Sequence, residues 1–241
     1  MSDLISIQTG PIQVHSWIVP VCENFVLIVD PAGCSLTNDE SAITGYLHSH
    51  GLLPIAVILT HGHFDHVIGL PVIKKEYPKI KIAVHEKDAC FIGSDSGVYQ
   101  KRCLDSIGAK EILPFVKNLP AADFLLKDTD SLVSVSPRAY CLTMCNNDVK
   151  TVQKIQDALQ AWTVIFTPGH TPGSVCYYNA DKKQLISGDT VFYQSYGRTD
   201  LYGGNEVDMM QSISKIRDLI PSATKVYPGH GYADFLLSET L

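Results

Sequence analysis

The chain has no apolar run long enough to cross a bilayer, although 45% of its 241 residues are hydrophobic. No membrane association is expected. Its first residues, Met1-Ser2-Asp3-Leu4, show no basic region leading into an apolar core, so no secretory leader is expected. Seven cysteines are present, an odd number with no Cys-x-x-Cys pair. Free thiols in a reducing cytosol fit that usage better than a disulfide framework, which makes a cytoplasmic location the expectation. A structural zinc at Cys141 and Cys145 would need a second pair of ligands, and none is present. Cations are in deficit, with 19 Lys and Arg against 25 Asp and Glu and a net charge of −6. The basic residues are scattered, Lys74-Lys75 and Lys182-Lys183 being the longest groups, so nucleic acid is not expected as a partner. No Gly-x-Ser-x-Gly elbow, internal repeat or low-complexity tract occurs.

What the chain does have is concentrated histidine. Thr60-His61-Gly62-His63-Phe64-Asp65-His66 places three imidazoles and a carboxylate within six residues. The apolar run Pro54-Ile55-Ala56-Val57-Ile58-Leu59 before it reads as a buried strand. His61 and His63 are two apart, so an extended backbone points both the same way, and the following turn brings Asp65 and His66 round beside them. Imidazole suits zinc, iron and related metals, and a neighbouring carboxylate extends the ligand set.

Three further segments have the same construction. Trp162-Thr163-Val164-Ile165-Phe166 leads into Thr167-Pro168-Gly169-His170-Thr171-Pro172-Gly173-Ser174. Leu185-Ile186-Ser187-Gly188 leads into Asp189, and Lys225-Val226-Tyr227-Pro228-Gly229 leads into His230. Each metal-capable side chain follows a short strand-like run with glycine close by, which lets the backbone turn tightly. Four loops converging at one edge of the sheets would explain this.

The remaining chain alternates strands and helices, as in layered α/β architecture. Strands are expected at 12–19, 25–30, 55–59, 80–84, 175–179 and 184–187, the last two joined by a turn at Ala180-Asp181-Lys182. Helices are expected at 39–50, capped by Asn38 or Asp39 and stopped by Gly51, and at 67–77. A third, at 206–219, would turn Val207, Met210, Ile213, Ile216 and Leu219 or Ile220 inward and end before Pro221. A length of 241 residues suffices for a sizeable core.

Taken together, His61, His63, Asp65, His66, His170, Asp189 and His230 resemble, in order and rough spacing, the metallo-β-lactamase superfamily. The resemblance runs from about Ile12 to Gly231. It implies a four-layer αββα sandwich with the metal site at one edge of two facing sheets, in one domain over 1–241. It implies that His61, His63 and His170 hold one divalent metal, that Asp65, His66 and His230 hold a second, and that Asp189 bridges them. Zinc is the metal expected, with iron or manganese as alternatives. A metal-bound hydroxide would be the nucleophile, oriented by Asp65, with one metal polarising the substrate carbonyl.

Within that superfamily, Ser195-Tyr196-Gly197-Arg198-Thr199-Asp200-Leu201 followed by Gly203-Gly204-Asn205 resembles the glyoxalase II-like branch. A hydrolase of a thioester or another small ester-like substrate is therefore expected, with a small molecule as its substrate. A similar Gly-Arg-Thr-Asp stretch occurs in iron-dependent persulfide dioxygenases, which makes an oxidoreductase the alternative, beside a lactonase or phosphodiesterase on the same scaffold. Full-length glyoxalase II enzymes carry a C-terminal helical extension that binds glutathione. The segment Tyr232 to Leu241 is too short for one, so weak discrimination for glutathione is expected.

Other residues have two readings each. Thr60, Thr171 and Ser174 either support the ligands or close turns. Asp30 either supports the metal side or caps a loop. Tyr196 and Arg198 either line the cleft or, in the case of Arg198 with Asp200, form a structural ion pair. His15, His48, His50 and His85 have no motif context and read as ordinary core or surface residues. The stretch 86–161 is the least patterned and reads as an insertion that is either a lid or wall over the cleft or a surface excursion.

Overall fold

The computed structural model describes residues 4–233 and 235–240, so the first three residues, where a leader would begin, lie outside it. Six strands form the first sheet in sequence order: β1 (Ile5–Thr9), β2 (Val14–Cys22), β3 (Phe25–Val29), β4 (Leu53–Ile58), β5 (Lys81–His85) and β6 (Phe124–Leu126). β1 to β3 run antiparallel and β3 to β6 run parallel. The second sheet contains β7 (Trp162–Phe166), β8 (Val175–Asn179) and β9 (Gln184–Gly188). A small hairpin follows, β10 (Val191–Phe192) with β11 (Ser195–Tyr196), before β12 (Lys225–Pro228) and β13 (Phe235–Leu236) complete that sheet in the order β13-β12-β9-β8-β7. β9 and β12 are parallel, and β7 shares their direction because both it and β9 are antiparallel to β8.

Two consequences position the site. The carboxyl ends of β3, β4 and β5 open along one edge of the first sheet, and those of β7, β9 and β12 open along one edge of the second. Ligands in open α/β sheets bind outside the carboxyl ends of the strands. Hydrogen bonds hold the two edges together. Tyr177 Oη donates to Leu59 O at 2.6 Å, Val175 N to Thr60 O at 2.8 Å, Trp17 Nε1 to Pro228 O at 3.0 Å and His15 N to Gly229 O at 2.8 Å.

Helices complete the layers. α1 (Ala42–Ser49), α2 (Phe64–Val67), α3 (Leu70–Glu76), α4 (Ser96–Ile107) and α5 (Leu113–Val116) bury Leu47, Val67, Ile73, Leu104 and Val116 against the outer face of the first sheet. α6 (Arg138–Met144) and α7 (Val149–Gln160) send Cys141, Val152, Ile155 and Leu159 into the core between the sheets, where Trp17, Leu27, Trp162, Tyr177 and Tyr227 meet. α8 (Glu206–Leu219) covers the outer face of the second sheet through Ile216. The result is the expected α/β, four-layer αββα sandwich.

Several local expectations need correction. The strand anticipated from residue 12 begins at Val14, and β1 before it was not anticipated. The helix expected over 67–77 is two helices, α2 and α3, because the chain bends at Ile68-Gly69, where Gly69 N donates to Pro31 O at 2.9 Å. Ser41, not Asn38 or Asp39, stands at the start of α1, since both carboxylate oxygens of Asp39 accept from Gly10 N and Cys34 N instead. α8 has the expected bounds, and of the residues expected inward Ile216 and Ile220 are buried and Ile213 packs against the same core, whereas Val207, Met210 and Leu219 are exposed and Met209 and Ser212 are buried instead. Both faces carry apolar residues at helical spacing, so periodicity does not choose between them, and Ser212 turns inward because its hydroxyl donates to Pro168 O at 2.7 Å.

The stretch 86–161 is not a detached excursion. It supplies β6, most of the helical cover of the first sheet beyond α3, and α7 in the inter-sheet core.

Candidate metal centre

The structure brings His61, His63, Asp65, His66, His170, Asp189 and His230 to one place. One potential ligand atom from each of His61, His63 and His170 lies within 4.8 Å of the others, and the same holds for Asp65, His66 and His230. Asp189 stands between the two trios, with Oδ2 at 3.4 Å from His170 Nε2 and 3.6 Å from His230 Nε2, and Oδ1 at 3.4 Å from His66 Nε2. No cysteine belongs to such a group among the described residues, and Cys141 and Cys145 are free thiols.

The hydrogen bonds behind the rings decide which nitrogens face inward. His170 Nδ1 lies 2.7 Å from Arg198 O, and a carbonyl can only accept, so Nδ1 carries the proton and Nε2 presents a lone pair. His66 Nδ1 donates in the same way to Asp30 Oδ2 at 2.9 Å, and His230 Nδ1 to Ile12 O at 3.3 Å. Thr60 Oγ1 donates its own proton to Asp30 Oδ2 at 2.6 Å, so at 3.1 Å it accepts from His61 Nδ1, which leaves His61 Nε2 as the free ligand atom. Partners of this kind fix the tautomer and the ring orientation of metal-binding histidines.

Asp30 is thereby a support rather than a ligand. Its two oxygens are taken by Thr60 N, Thr60 Oγ1 and His66 Nδ1. It sits at φ +50°, in the left-handed region that Asp and Asn tolerate better than most residues, and that turn at the end of β3 aims its carboxylate back at the site.

The donor set fits a divalent cation. His61 Nε2, His63 Nε2 and Asp189 Oδ1 are buried without a hydrogen-bond partner, which is costly unless something outside the protein satisfies them. Asp30, Asp65 and Asp88 are buried and Asp189 is nearly so around the histidines, and among the described residues no ion pair to a Lys or Arg reaches any of them. Buried charge of one sign calls for a counter-charge.

Electrostatics divides the two trios. Burial above all, then neighbouring imidazoles, lowers His61 well below the ordinary histidine value, and burial with His170 brings His63 down to about 3. His170 is also lowered, chiefly by burial. All three are neutral at physiological pH, as ligands must be. Burial acts in the same sense on His66, but the Asp65, Asp189 and Asp30 carboxylates outweigh it and raise that imidazole well above its usual value. His230 is raised too, its burial being outweighed by Asp65 and Asp189. Asp65 and Asp189 are held below the ordinary carboxylate range, because His66 and its neighbours overcome the opposing effect of burial.

Five of the seven, His63, Asp65, His170, Asp189 and His230, line a cleft of about 320 Å³. Ile12, Phe64, Ile107, Phe192 and Leu201 supply apolar surface, and Arg198 adds a cation. Arg198 has both of its expected roles: it lines the cleft, and it forms a bidentate pair with Asp200 at 2.7 Å on each arm. Tyr196 pairs with Val191 in the small hairpin and is not part of the lining. Ile107 comes from the stretch 86–161, which thus contributes wall to the cleft.

The ambiguous threonines and serine do two things at once. Thr60 supports Asp30 and His61, Thr171 donates to Asp88, and Ser174 Oγ accepts from Thr171 N at 3.0 Å to close the loop after His170. Sequence reasoning missed Asp88 and Gln100, both fully buried behind the first histidine loop. It also passed over His15, which stacks on Trp17 at 5.2 Å and hydrogen-bonds Gly231 O at 2.8 Å, bracing the loop of His230. Nothing local in sequence marks these residues, whose contacts to the histidine-bearing loops span 26 to 216 positions.

The chain is similar in sequence and structure to known proteins. Residues 9–135 and 147–230 match the family described as the metallo-beta-lactamase superfamily. "Probable metallo-hydrolase YqgX" of Bacillus subtilis (strain 168) is 30% identical over 230 residues, covering 95% of this chain and 90% of the relative. A "Hydroxyacylglutathione hydrolase" of Hamiltonella defensa subsp. Acyrthosiphon pisum (strain 5AT) is 29% identical over 90% of this chain, and the chain spans 62% of that enzyme's length. Among solved structures, the BLEG-1 B3 metallo-beta-lactamase superposes with a TM-score of 0.75 at 27% identity, covering 98% of this chain and 95% of that one.

Proposed function

The chain belongs to the metallo-beta-lactamase superfamily and is a metal-dependent hydrolase of it, and on that premise we propose that it cleaves a thioester or a comparable small ester. One observation carries the reading: two trios of ligand-competent side chains, joined by Asp189, stand at the floor of a half-apolar cleft sized for a small molecule. Bound there, one or two divalent ions, zinc in our reading, would acidify a water and polarise the carbonyl it attacks.

The protein's own groups have separable tasks. His61, His63 and His170 would hold one ion, and Asp65, His66 and His230 the other, with Asp189 shared. Asp65, ionised because His66 and His230 stabilise its charge, would orient the attacking water and take its proton. The apolar wall of Ile12, Phe64, Ile107, Phe192 and Leu201 would take the acyl group and exclude bulk water. A departing thiolate needs no acid partner, since thiols ionise near pH 8.5 or so unaided. With Arg198 neutralised by Asp200, the lining offers little to the two carboxylates of glutathione, which supports broad acceptance of thioesters. Seven free thiols support a reducing, cytosolic setting.

The test is a panel of acyl-glutathione, simple thiol, oxygen-ester, lactone, phosphodiester and β-lactam substrates, run with metal quantification on protein purified without added metal. Thioester turnover with little preference for glutathione is expected. One iron per chain together with oxygen uptake on glutathione persulfide would replace the hydrolase by an oxidoreductase.

A further inference from the structure

Asp88 belongs to none of the metal-binding motifs, yet it is a fully enclosed carboxylate directly behind them. Its Oδ2 accepts from Gly62 N at 2.8 Å and from Thr171 Oγ1 at 2.6 Å, and its Oδ1 accepts from Gly173 N at 2.6 Å. Gly62 separates His61 from His63, and Thr171 follows His170. One carboxylate therefore joins the two loops that carry all three imidazoles of the first trio, and it hydrogen-bonds none of those rings.

The grip on the first loop is double. Gln100 Nε2 donates to Gly62 O at 2.7 Å and to Phe91 O at 2.8 Å. The two peptide groups that connect His61 to His63 are thus each held by a buried side chain from the stretch after β5. Phe91 also packs edge-on to the His63 ring, with centroids 6.0 Å apart. The fit on the other loop is as close: a Cβ on Gly173 would fall 2.6 Å from Asp88 Cγ, so only glycine brings that amide within reach of the carboxylate.

We propose that Asp88, assisted by Gln100, is a positioning residue for the first cation, fixing the separation of the His61-His63 loop from the His170 loop before metal arrives. The inference rests on the metal-centre reading above and not on the choice of substrate. A ligand set held in place loses less conformational freedom when the ion binds, so the support acts on affinity and on coordination geometry. Asp88 has no hydrogen bond to Asp65, His66 or His230, so its influence is one-sided. A carboxylate that merely stapled the fold would affect both trios alike.

The one-sidedness is the test. Cobalt(II) is titrated into metal-free protein in two backgrounds, His230→Ala, which keeps the first trio, and His63→Ala, which keeps the second; visible absorption reads affinity and coordination. Asp88→Asn offers an amide N–H where two backbone N–H groups and a hydroxyl all need an acceptor. In the His230→Ala background it should weaken cobalt binding about 10- to 100-fold and alter the d–d spectrum, as loss of an outer hydrogen-bond partner does. In the His63→Ala background, affinity should hold within roughly twofold. Unchanged affinity and spectrum in the first background, or equal weakening in both, would overturn the proposal. If Asp88→Asn does not fold, Thr171→Val and Gln100→Leu keep the carboxylate and remove one support each. Each should weaken only the first site, by about fivefold for one net hydrogen bond, and no change in either would be decisive against the proposal. Absence of cobalt binding in the parent His230→Ala protein would instead defeat the metal-centre reading itself.

Discussion

The Nε2 atoms of His66 and His230 face each other at 3.2 Å, and each ring has already committed its Nδ1 proton, to Asp30 and to Ile12 O respectively. Two imidazole lone pairs at that distance repel unless a positive charge lies between or beside them. A proton can supply it, and so can a metal ion. The raised basicity of both rings expresses the same demand: the surrounding Asp65 and Asp189 carboxylates favour a cation there despite burial.

Protons and metal therefore compete at the second trio and hardly at the first. A raised imidazole begins to take up a proton above the ordinary histidine value, whereas His61, His63 and His170 are lowered and stay neutral well below it. Dialysis of the loaded protein from pH 8 to pH 6 should release the ion at Asp65, His66 and His230 first, leaving the other in place. Metal content measured across that range checks this, and loss of both ions together would contradict it.

Metal-free protein should show the complementary stability profile. Raised His66 and His230 add stability that is fully present below the unfolded value near 6.5 and is lost as pH climbs through their folded values. Asp88, pushed up by burial to about 6, also favours the fold on acidification from neutral pH, until its unfolded value near 4 is passed. Lowered Asp65 and Asp189 act oppositely, but only as pH falls below about 4. The lowered His61, His63 and His170 oppose this below about pH 6.5, where only the unfolded chain protonates them, so chelator-treated protein should melt higher at pH 7 than at pH 8.5, and a flat or reversed trend would count against these assignments.

Asp30→Asn removes the charge behind His66 and leaves one acceptor oxygen where Thr60 N, Thr60 Oγ1 and His66 Nδ1 now share two. Asn accepts the left-handed backbone at φ +50° as readily as Asp, so the turn after β3 survives. An amide oxygen is a weaker acceptor than a carboxylate, and His66 becomes less basic and less firmly aimed. Metal affinity at the second trio should fall about 10- to 100-fold, read by chelator competition, with secondary structure by circular dichroism unchanged.

How much of this was legible beforehand follows from how local each signal is. The seven candidate ligands announce themselves because they fall in four short windows, each just after a strand and with glycine close by, so His61 and His230 could be grouped across the whole chain. The extent of α8 was readable from its periodicity and Pro221, and so were Ile216 and Ile220 on its inward face, yet the first half of that face was not, since Val207 and Met210 compete with Met209 for the same pattern. Asp88 was invisible for a different reason. It sits in Glu86-Lys87-Asp88-Ala89, a sequence that looks like any solvated turn, and only folding brings Gly62 and Gly173 against it. Residues that hold a site from behind carry no spacing rule of their own.

Gly62→Ala tests that backing from the opposite side. An added Cβ would lie 2.5 Å from Phe91 Cβ, far inside contact distance, so either Phe91 or the loop must shift. Overpacking of this kind costs roughly 1–3 kcal/mol. Since His61 and His63 flank the glycine, metal content at the first trio should drop with stability. Restored metal binding in a Gly62→Ala, Phe91→Gly double variant, which removes the Cβ that is struck, would show that the collision, not the glycine itself, was responsible.

Ile107 offers the cleanest view of the cleft as a substrate pocket. It ends α4, lines the cleft and packs only partly against the outer core, so shortening it disturbs neither the sheets nor any ligand. Its side chain lies with Phe64, Phe192 and Leu201 on the apolar wall that our reading assigns to the acyl group. In Ile107→Ala, acetyl thioesters too short to reach that wall should keep their kcat/KM. Butyryl and longer acyl thioesters of the same thiol should lose roughly tenfold, the usual scale for a few lost apolar contacts. Varying the thiol at fixed acyl group should give no such trend. An effect that followed the thiol and ignored acyl length would reverse the orientation of substrate in the cleft, placing the leaving group, not the acyl chain, against α4.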